Sequence, residues 1–145
     1  MTALVSLDDI VAFYETLDTA RLAELGRFYT ADARFKDPFN EVRGVAAIRR
    51  VFEHMFETLE HPQFRVTDRI VDSSGAILLW EFHFGSPRRA RCIRGASHLR
   101  FDTRGRIEWH RDYWDAAEEL YAGLPVIGWL MRRLQRALRA PQPFD

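Results

Sequence analysis

Residues 64–72 read FRVTDRIVD, and from Phe64 onward apolar and polar residues alternate with a period of two. The same alternation returns in AILLWEFHF (76–84), CIRGASHLRFD (92–102) and RIEWHRDYWD (106–115). The connections are SSG, a Pro- and Arg-rich turn at 86–91, and TRG, with Gly75 and Gly105 supplying the backbone freedom that tight hairpins need. Four strands in succession, joined this way, predict an antiparallel meander.

Upstream of Phe64 the period is helical. Ser6 with Asp9 three residues on has the form of a capping box, and Ile10, Phe13, Tyr14 and Leu17 then mark one buried helix face. A second short helix is expected over 19–29, with Leu22, Leu25 and Phe28 inward. ARFKDPF (33–39) reads as a short strand stopped at Asp37-Pro38, because proline cannot donate to a ladder. Gly44 precedes a third helix whose stripe is Ile48, Val51, Phe52, Met55, Phe56 and Leu59. Helices around one strand, followed by a meander, give an α+β order. A strongly curved sheet wrapped over the helices makes a half-open cone, and such concavities commonly take small molecules.

A chain of 145 residues fits one domain, 1–145, with 116–145 as a C-terminal helical extension. Formal net charge is zero, so no global field steers it to nucleic acid or acidic membranes. The arginines at 88, 89, 91 and 94 form a local basic turn without the wide basic face and stacking aromatics of a nucleic-acid site. The single Cys92 excludes an intramolecular disulfide framework, and the five histidines show no HExxH-type spacing, so neither metal nor cofactor is expected. The start MTALVSLDD lacks a secretory pattern and no stretch reaches the roughly 18–20 apolar residues of a membrane span, so a cytoplasmic protein is expected. The tail carries Leu124, Val126, Ile127, Trp129, Leu130 and Met131, followed by Arg132, Arg133, Arg136 and Arg139. It reads as a lid or a homodimer contact, with a membrane-surface helix as the alternative.

The stretches FYTADARFKDPFNEVRGVAAIRRVF (28–52) and GRIEWHRDYWD (105–115) are similar to the NTF2-like superfamily, its SnoaL-like and ketosteroid isomerase-like branches in particular. The resemblance covers nearly the whole chain and implies a cone-shaped fold with N-terminal helices packed in a curved antiparallel sheet. It also implies candidate residues. Asp37 matches the position where ketosteroid isomerases keep a general base, with Phe35 and Phe39 flanking it; the other reading is a turn-forming Asp-Pro pair. Tyr14 matches the isomerase phenol that donates to an enolate oxygen, or is a core aromatic; Ser97 stands where the family has its second donor. Asp112 resembles the water-activating Asp of the limonene epoxide hydrolase branch, while the Arg and second Asp of that branch correspond here to Trp80 and Phe82.

Period two places Glu108, His110, Asp112 and Trp114 on one face of the last strand, with Ile107, Trp109, Arg111 and Tyr113 on the other. The expected pocket therefore joins Asp37, Asp112, Tyr14, Ser97 and His110, walled by Phe35, Phe39, Trp80, Phe82 and Trp114. Its ligand is expected to be a bulky apolar small molecule carrying a carbonyl or hydroxyl. The leading function is acid–base isomerisation beside a carbonyl. The alternatives are a non-catalytic binding or dimeric assembly module, and a SnoaL-like cyclase or atypical hydrolase using Asp112.

Overall fold

The computed structural model describes residues 4–116 and 125–138. The chain forms two compact units, 1–114 and 115–145. In the first, helix α1 (Leu7–Glu15) opens on the expected capping box: Asp9 N–H donates to Ser6 Oγ and Ser6 N–H to Asp9 Oδ2, each at 3.1 Å. The hydrogen bonds from the Ser6 backbone and hydroxyl hold the Asp9 carboxyl below its ordinary range. Residues 19–29 depart from the expected helix. A 3-10 turn (Arg21–Glu24) and a single α turn, α2 (Leu25–Phe28), bury Leu22, Leu25 and Phe28 as predicted. Tyr29 already begins strand β1 (Tyr29–Lys36).

Strand β2 (Glu41–Arg43) is not visible in the periodicity; three residues are too few to show one. Gly44, at φ +93°, turns the chain into α3 (Val45–Thr58), a conformation glycine adopts without strain. The meander follows as β3 (Gln63–Asp72), β4 (Gly75–Phe84), β5 (Arg91–Phe101) and β6 (Ile107–Tyr113). All six strands form one sheet, curled but unclosed, in the order β2-β1-β6-β5-β4-β3. Only the β1–β6 pairing is parallel. The α+β expectation holds, and the core lies between the helices and the inner face of the sheet. Phe13, Phe28, Tyr29, Ile48, Leu99 and Ile107 are among its most deeply buried side chains.

Irregular pairing sets which side chains reach that core. The β5–β6 register shifts between Arg100 and Phe101, and the β1–β6 register shifts between Tyr29 and Arg34. An extra residue in one strand reverses the faces beyond it. Ile107 and His110 are therefore both buried while Glu108 is exposed, so Glu108 leaves the face where simple alternation put it. A third shift, between Val66 and Asp68 on β3, lies where the Val66 N–H donates to Glu15 Oε2 at 3.1 Å and ties α1 to the sheet.

In the second unit, residues Pro125–Leu138 form a helix in which the Arg133 guanidinium lies 5.4 Å from the centre of the Trp129 ring. Leu124 and Arg139 of the expected tail lie outside the described residues. No helix among the described residues is long and apolar enough to cross a membrane.

Candidate active site

On the inner face of the sheet, five polar side chains from four elements form one continuous chain of hydrogen bonds, joined by a sixth from β4. Strand registry aligns three positions: Leu78 opposes Ser97, Ser97 opposes Asp112, and Leu99 opposes His110. Trp80 adds its indole from β4. Its Nε1–H donates to Ser97 Oγ at 2.8 Å, and the Ser97 hydroxyl donates to Asp112 Oδ1. His110 Nε2 lies 2.7 Å from the same Oδ1. On the far side of the imidazole, Nδ1 is 2.6 Å from the Tyr29 hydroxyl and 3.2 Å from that of Tyr14, and the two phenols are 2.5 Å apart.

One proton arrangement, built on the shorter contacts, satisfies every member. Tyr14 donates to Tyr29, Tyr29 to His110 Nδ1, and His110 Nε2–H to Asp112. A doubly protonated imidazole would turn Nδ1 into a donor and reverse the phenol pair, leaving the Tyr14 hydrogen without an acceptor among the described residues. Burial pushes both phenols well above the ordinary tyrosine range, and the Asp112 charge adds to the rise. Both therefore stay protonated and act as neutral donors. The network leaves no buried side-chain polar atom unpartnered among the described residues.

Asp112 is the asymmetric member. Both of its hydrogen bonds fall on Oδ1, and Oδ2 accepts none from the described residues. The carboxylate borders a narrow cleft lined also by Phe52, Phe64, Val66, Leu78 and Trp80. The cavity between these side chains is about 20 Å³, room for one water. An oriented carboxylate oxygen beside an apolar wall can accept a proton from a bound molecule.

Of the residues expected from sequence, Tyr14, Trp80, Ser97, His110 and Asp112 come together. Phe35 supports them, its ring edge-to-face with His110 at 4.7 Å between centroids. Phe82 stands one layer back, stacked on Phe64 at 4.6 Å. Tyr14 and Ser97 were expected as donors to a substrate oxygen, but here their protons are committed inside the network.

Asp37 does not border this cleft. Its Oδ1 accepts from Phe39 N–H (2.8 Å), Asn40 N–H (2.6 Å) and the Asn40 amide (3.1 Å), and that amide also lies 3.2 Å from Oδ2. The backbone closes the same turn, Asp37 N–H donating to Asn40 O at 2.9 Å. This is the turn-forming reading of Asp-Pro. Phe39 is half exposed and packs edge-on against Trp114 at 5.6 Å, away from the cleft lining.

Tyr29 and Gly95 are positions of this network that sequence reasoning missed. Tyr29 was hidden by its assignment to a helix end. Gly95 faces Trp80 across β4–β5, and a Cβ there would lie 2.4 Å from the indole ring. The missing side chain lets the indole cross β5 diagonally and reach Ser97, the residue two positions on.

Three comparisons bear on this arrangement. The family model of the SnoaL-like domain matches residues 10–110. No curated protein matches the chain by sequence. Among solved structures, the chain is similar to a protein of ketosteroid isomerase-like fold from Catenulispora acidiphila, in complex with trimethylamine. The two share 18% identity and a TM-score of 0.65 over 82% of this chain and 92% of that one. An LEH-like epoxide hydrolase of M. tuberculosis aligns with 16% identity and a TM-score of 0.64 over 87% of this chain and 92% of its own. An NTF2-like protein of unknown function from an Exiguobacterium species aligns with 15% identity and a TM-score of 0.64, over 77% and 98%. At these identities the likeness establishes the NTF2-like fold expected from the sequence.

Proposed function

Because the chain belongs to the SnoaL-like domain family, we propose that its inner cleft is an acid–base site for a small molecule bearing a carbonyl or hydroxyl, with Asp112 as the base. The observation that carries this reading is the division of labour within one carboxylate. Ser97 and His110 fix Oδ1, Oδ2 accepts from none of the described residues, and Asp112 lines the cleft. A base held in one orientation loses little on reaching the transition state, and its apolar wall excludes competing water.

In the proposed step Oδ2 takes a proton from a carbon beside the carbonyl while His110 and Ser97 keep their hydrogen bonds to Oδ1. Tyr29 holds the imidazole in the tautomer that donates to Asp112, and Tyr14 holds Tyr29. The polar end of the substrate lies beside Asp112, and its apolar part lies against Phe52 and Phe64. Asp37 is assigned to the turn rather than to the reaction.

Deuterium incorporation tests the step whatever product the reaction yields. A panel of ketones and β-dicarbonyl compounds is incubated with the protein in D₂O, and exchange beside the carbonyl is followed by NMR. Exchange that Asp112→Asn abolishes and Asp37→Asn preserves is the expected result. Exchange that survives Asp112→Asn, or that only Asp37→Asn removes, would overturn the assignment.

A further inference from the structure

Outside the inner cleft, the described residues contain one group of side chains with three different metal-binding donors: Glu81, His83 and Cys92. Linear spacing conceals it. Glu81 and His83 are two apart on β4 and so share its outer face, opposite Trp80 and Phe82; Cys92 on β5 is the direct cross-strand partner of His83. The sequence shows only E-x-H and a distant cysteine, which is why no metal is expected from it.

The three separations are those of ligands around one small ion. His83 Nε2 lies 3.3 Å from Glu81 Oε2, Cys92 Sγ lies 3.7 Å from the same oxygen, and Cys92 Sγ lies 3.9 Å from His83 Nε2. Zinc binds sulfur at about 2.3 Å, imidazole at about 2.0–2.1 Å and carboxylate at about 2.0–2.2 Å, so a tetrahedron has edges of about 3.3–3.5 Å (N–O) and about 3.5–3.6 Å (S–O and S–N). The observed triangle likewise has N–O as its shortest side, and its two sulfur sides are longer by at most a few tenths of an ångström.

A second observation comes from the charged neighbours. Arg65 and Arg94 are the cross-strand partners of Glu81 on its two sides. Neither makes an ion pair with it. The carboxylate has instead the imidazole of His83 and the thiol of Cys92 as its partners.

We propose that Glu81, His83 and Cys92 bind a divalent ion of the zinc class through Oε2, Nε2 and Sγ, with a fourth position open to water. Thiolate with imidazole selects zinc over magnesium or calcium, which take oxygen ligands. The thiol proton is released to solvent when the ion binds. His83 and Cys92 pair one step inside Phe84 and Arg91, the last pair before the β4–β5 connection, so the ion acts as a clip across the loop end of that hairpin. The site is separate from the acid–base cleft, on the other face of the sheet, and does not depend on that reading.

Cobalt(II) is the probe, because it takes zinc geometry and reports its ligands by absorption. Titration of the full chain should reach one equivalent with a thiolate-to-cobalt charge-transfer band in the near ultraviolet and d–d bands of four-coordinate intensity. Cys92→Ser should remove the charge-transfer band. His83→Gln and Glu81→Gln should each weaken zinc competition about tenfold or more, since even outer-shell partners of a metal site are worth that much. His98→Gln, elsewhere on the sheet, should change nothing. Far-ultraviolet circular dichroism of each variant confirms that the fold persists. Absence of the charge-transfer band in the wild type, or a wild-type affinity in both His83→Gln and Glu81→Gln, would overturn the site.

Discussion

Asp37 and Asp112 follow or lie in neighbouring strands, and the sequence offered both as bases. They meet the rest of the protein in opposite ways. β1 ends at Lys36, opposite Arg111, so Asp37 falls where its strand has stopped while β6 runs on through Asp112 to Tyr113. Asp37 gives its acceptors to groups no more than three residues away in sequence. Asp112 takes its partners from β5 and from its own strand, and gathers both on one oxygen. A carboxylate saturated by local donors shapes the backbone. A carboxylate braced on one oxygen only, beside an apolar cleft, is the one to which the proposed chemistry is assigned.

The largest expected effect breaks the comparison on the Asp112 side. Asp112→Asn keeps an acceptor for Ser97 and His110 but removes the base, so turnover of any substrate found by exchange should fall by about 10²–10⁴-fold. Stability in urea should change little. If instead stability collapses and the residual folded protein retains its turnover, Asp112 is the structural carboxylate of the pair.

His110→Phe comes next. The ring keeps its place between Phe35 and Tyr29, but Asp112 Oδ1 loses a donor and the Tyr29 hydroxyl its acceptor. Two broken hydrogen bonds in a buried network should cost about 2–4 kcal/mol of unfolding free energy, read from denaturant midpoints at constant m. A loss below about 0.5 kcal/mol would mean that the network adds little to what ring packing supplies. Smaller still is Asp37→Ala, which deletes the acceptor for two backbone N–H groups in a partly exposed turn and should cost about 1–2 kcal/mol. Asp37→Asn, which retains Oδ1, should recover most of that loss. Equal damage from both would show that the charge matters rather than the turn.

How far this contrast was legible in the sequence depended on what fixes each feature. The capping box at Ser6 and Asp9 and the inward face of α3 are set by residues three or four apart, and could be read directly. The meander was equally clear, because alternation in Ala76–Phe84 and in the neighbouring strands depends only on each strand itself. The inward placement of Trp80, Ser97, His110 and Asp112 followed from it. What could not be read was set by pairing across strands. The register shifts that bury both Ile107 and His110, the role of Tyr29, and the room that Gly95 leaves for Trp80 exist only once strands are laid side by side. Asp37 was ambiguous for another reason. The Asp-Pro dipeptide serves a turn and a pocket equally well, and only the distances to Phe39 and Asn40 separate the two.

The last test separates the two regions by their dependence on pH. Burial raises the pKa of Tyr14 and Tyr29, whereas in the unfolded chain both titrate near the ordinary value of 10.0. Below about pH 10 neither state ionises, and these phenols add no slope to stability. Above it the unfolded chain releases protons that the folded protein still holds, so the unfolded state binds fewer protons and stability falls as pH rises. The slope approaches about 1.4 kcal/mol per pH unit for each phenol. Tyr14→Phe should therefore lower stability at pH 8 by about 1 kcal/mol, for one lost hydrogen bond, and also flatten the decline between pH 10 and 11. Asp37→Ala adds no phenol and removes none, so it should displace the whole curve downward without altering that slope. Urea unfolding at half-unit intervals from pH 8 to 11 reads both quantities. A Tyr14→Phe curve parallel to the wild type would place the Tyr14 phenol in contact with solvent, and the hydrogen-bond chain behind Asp112 would then end at Tyr29.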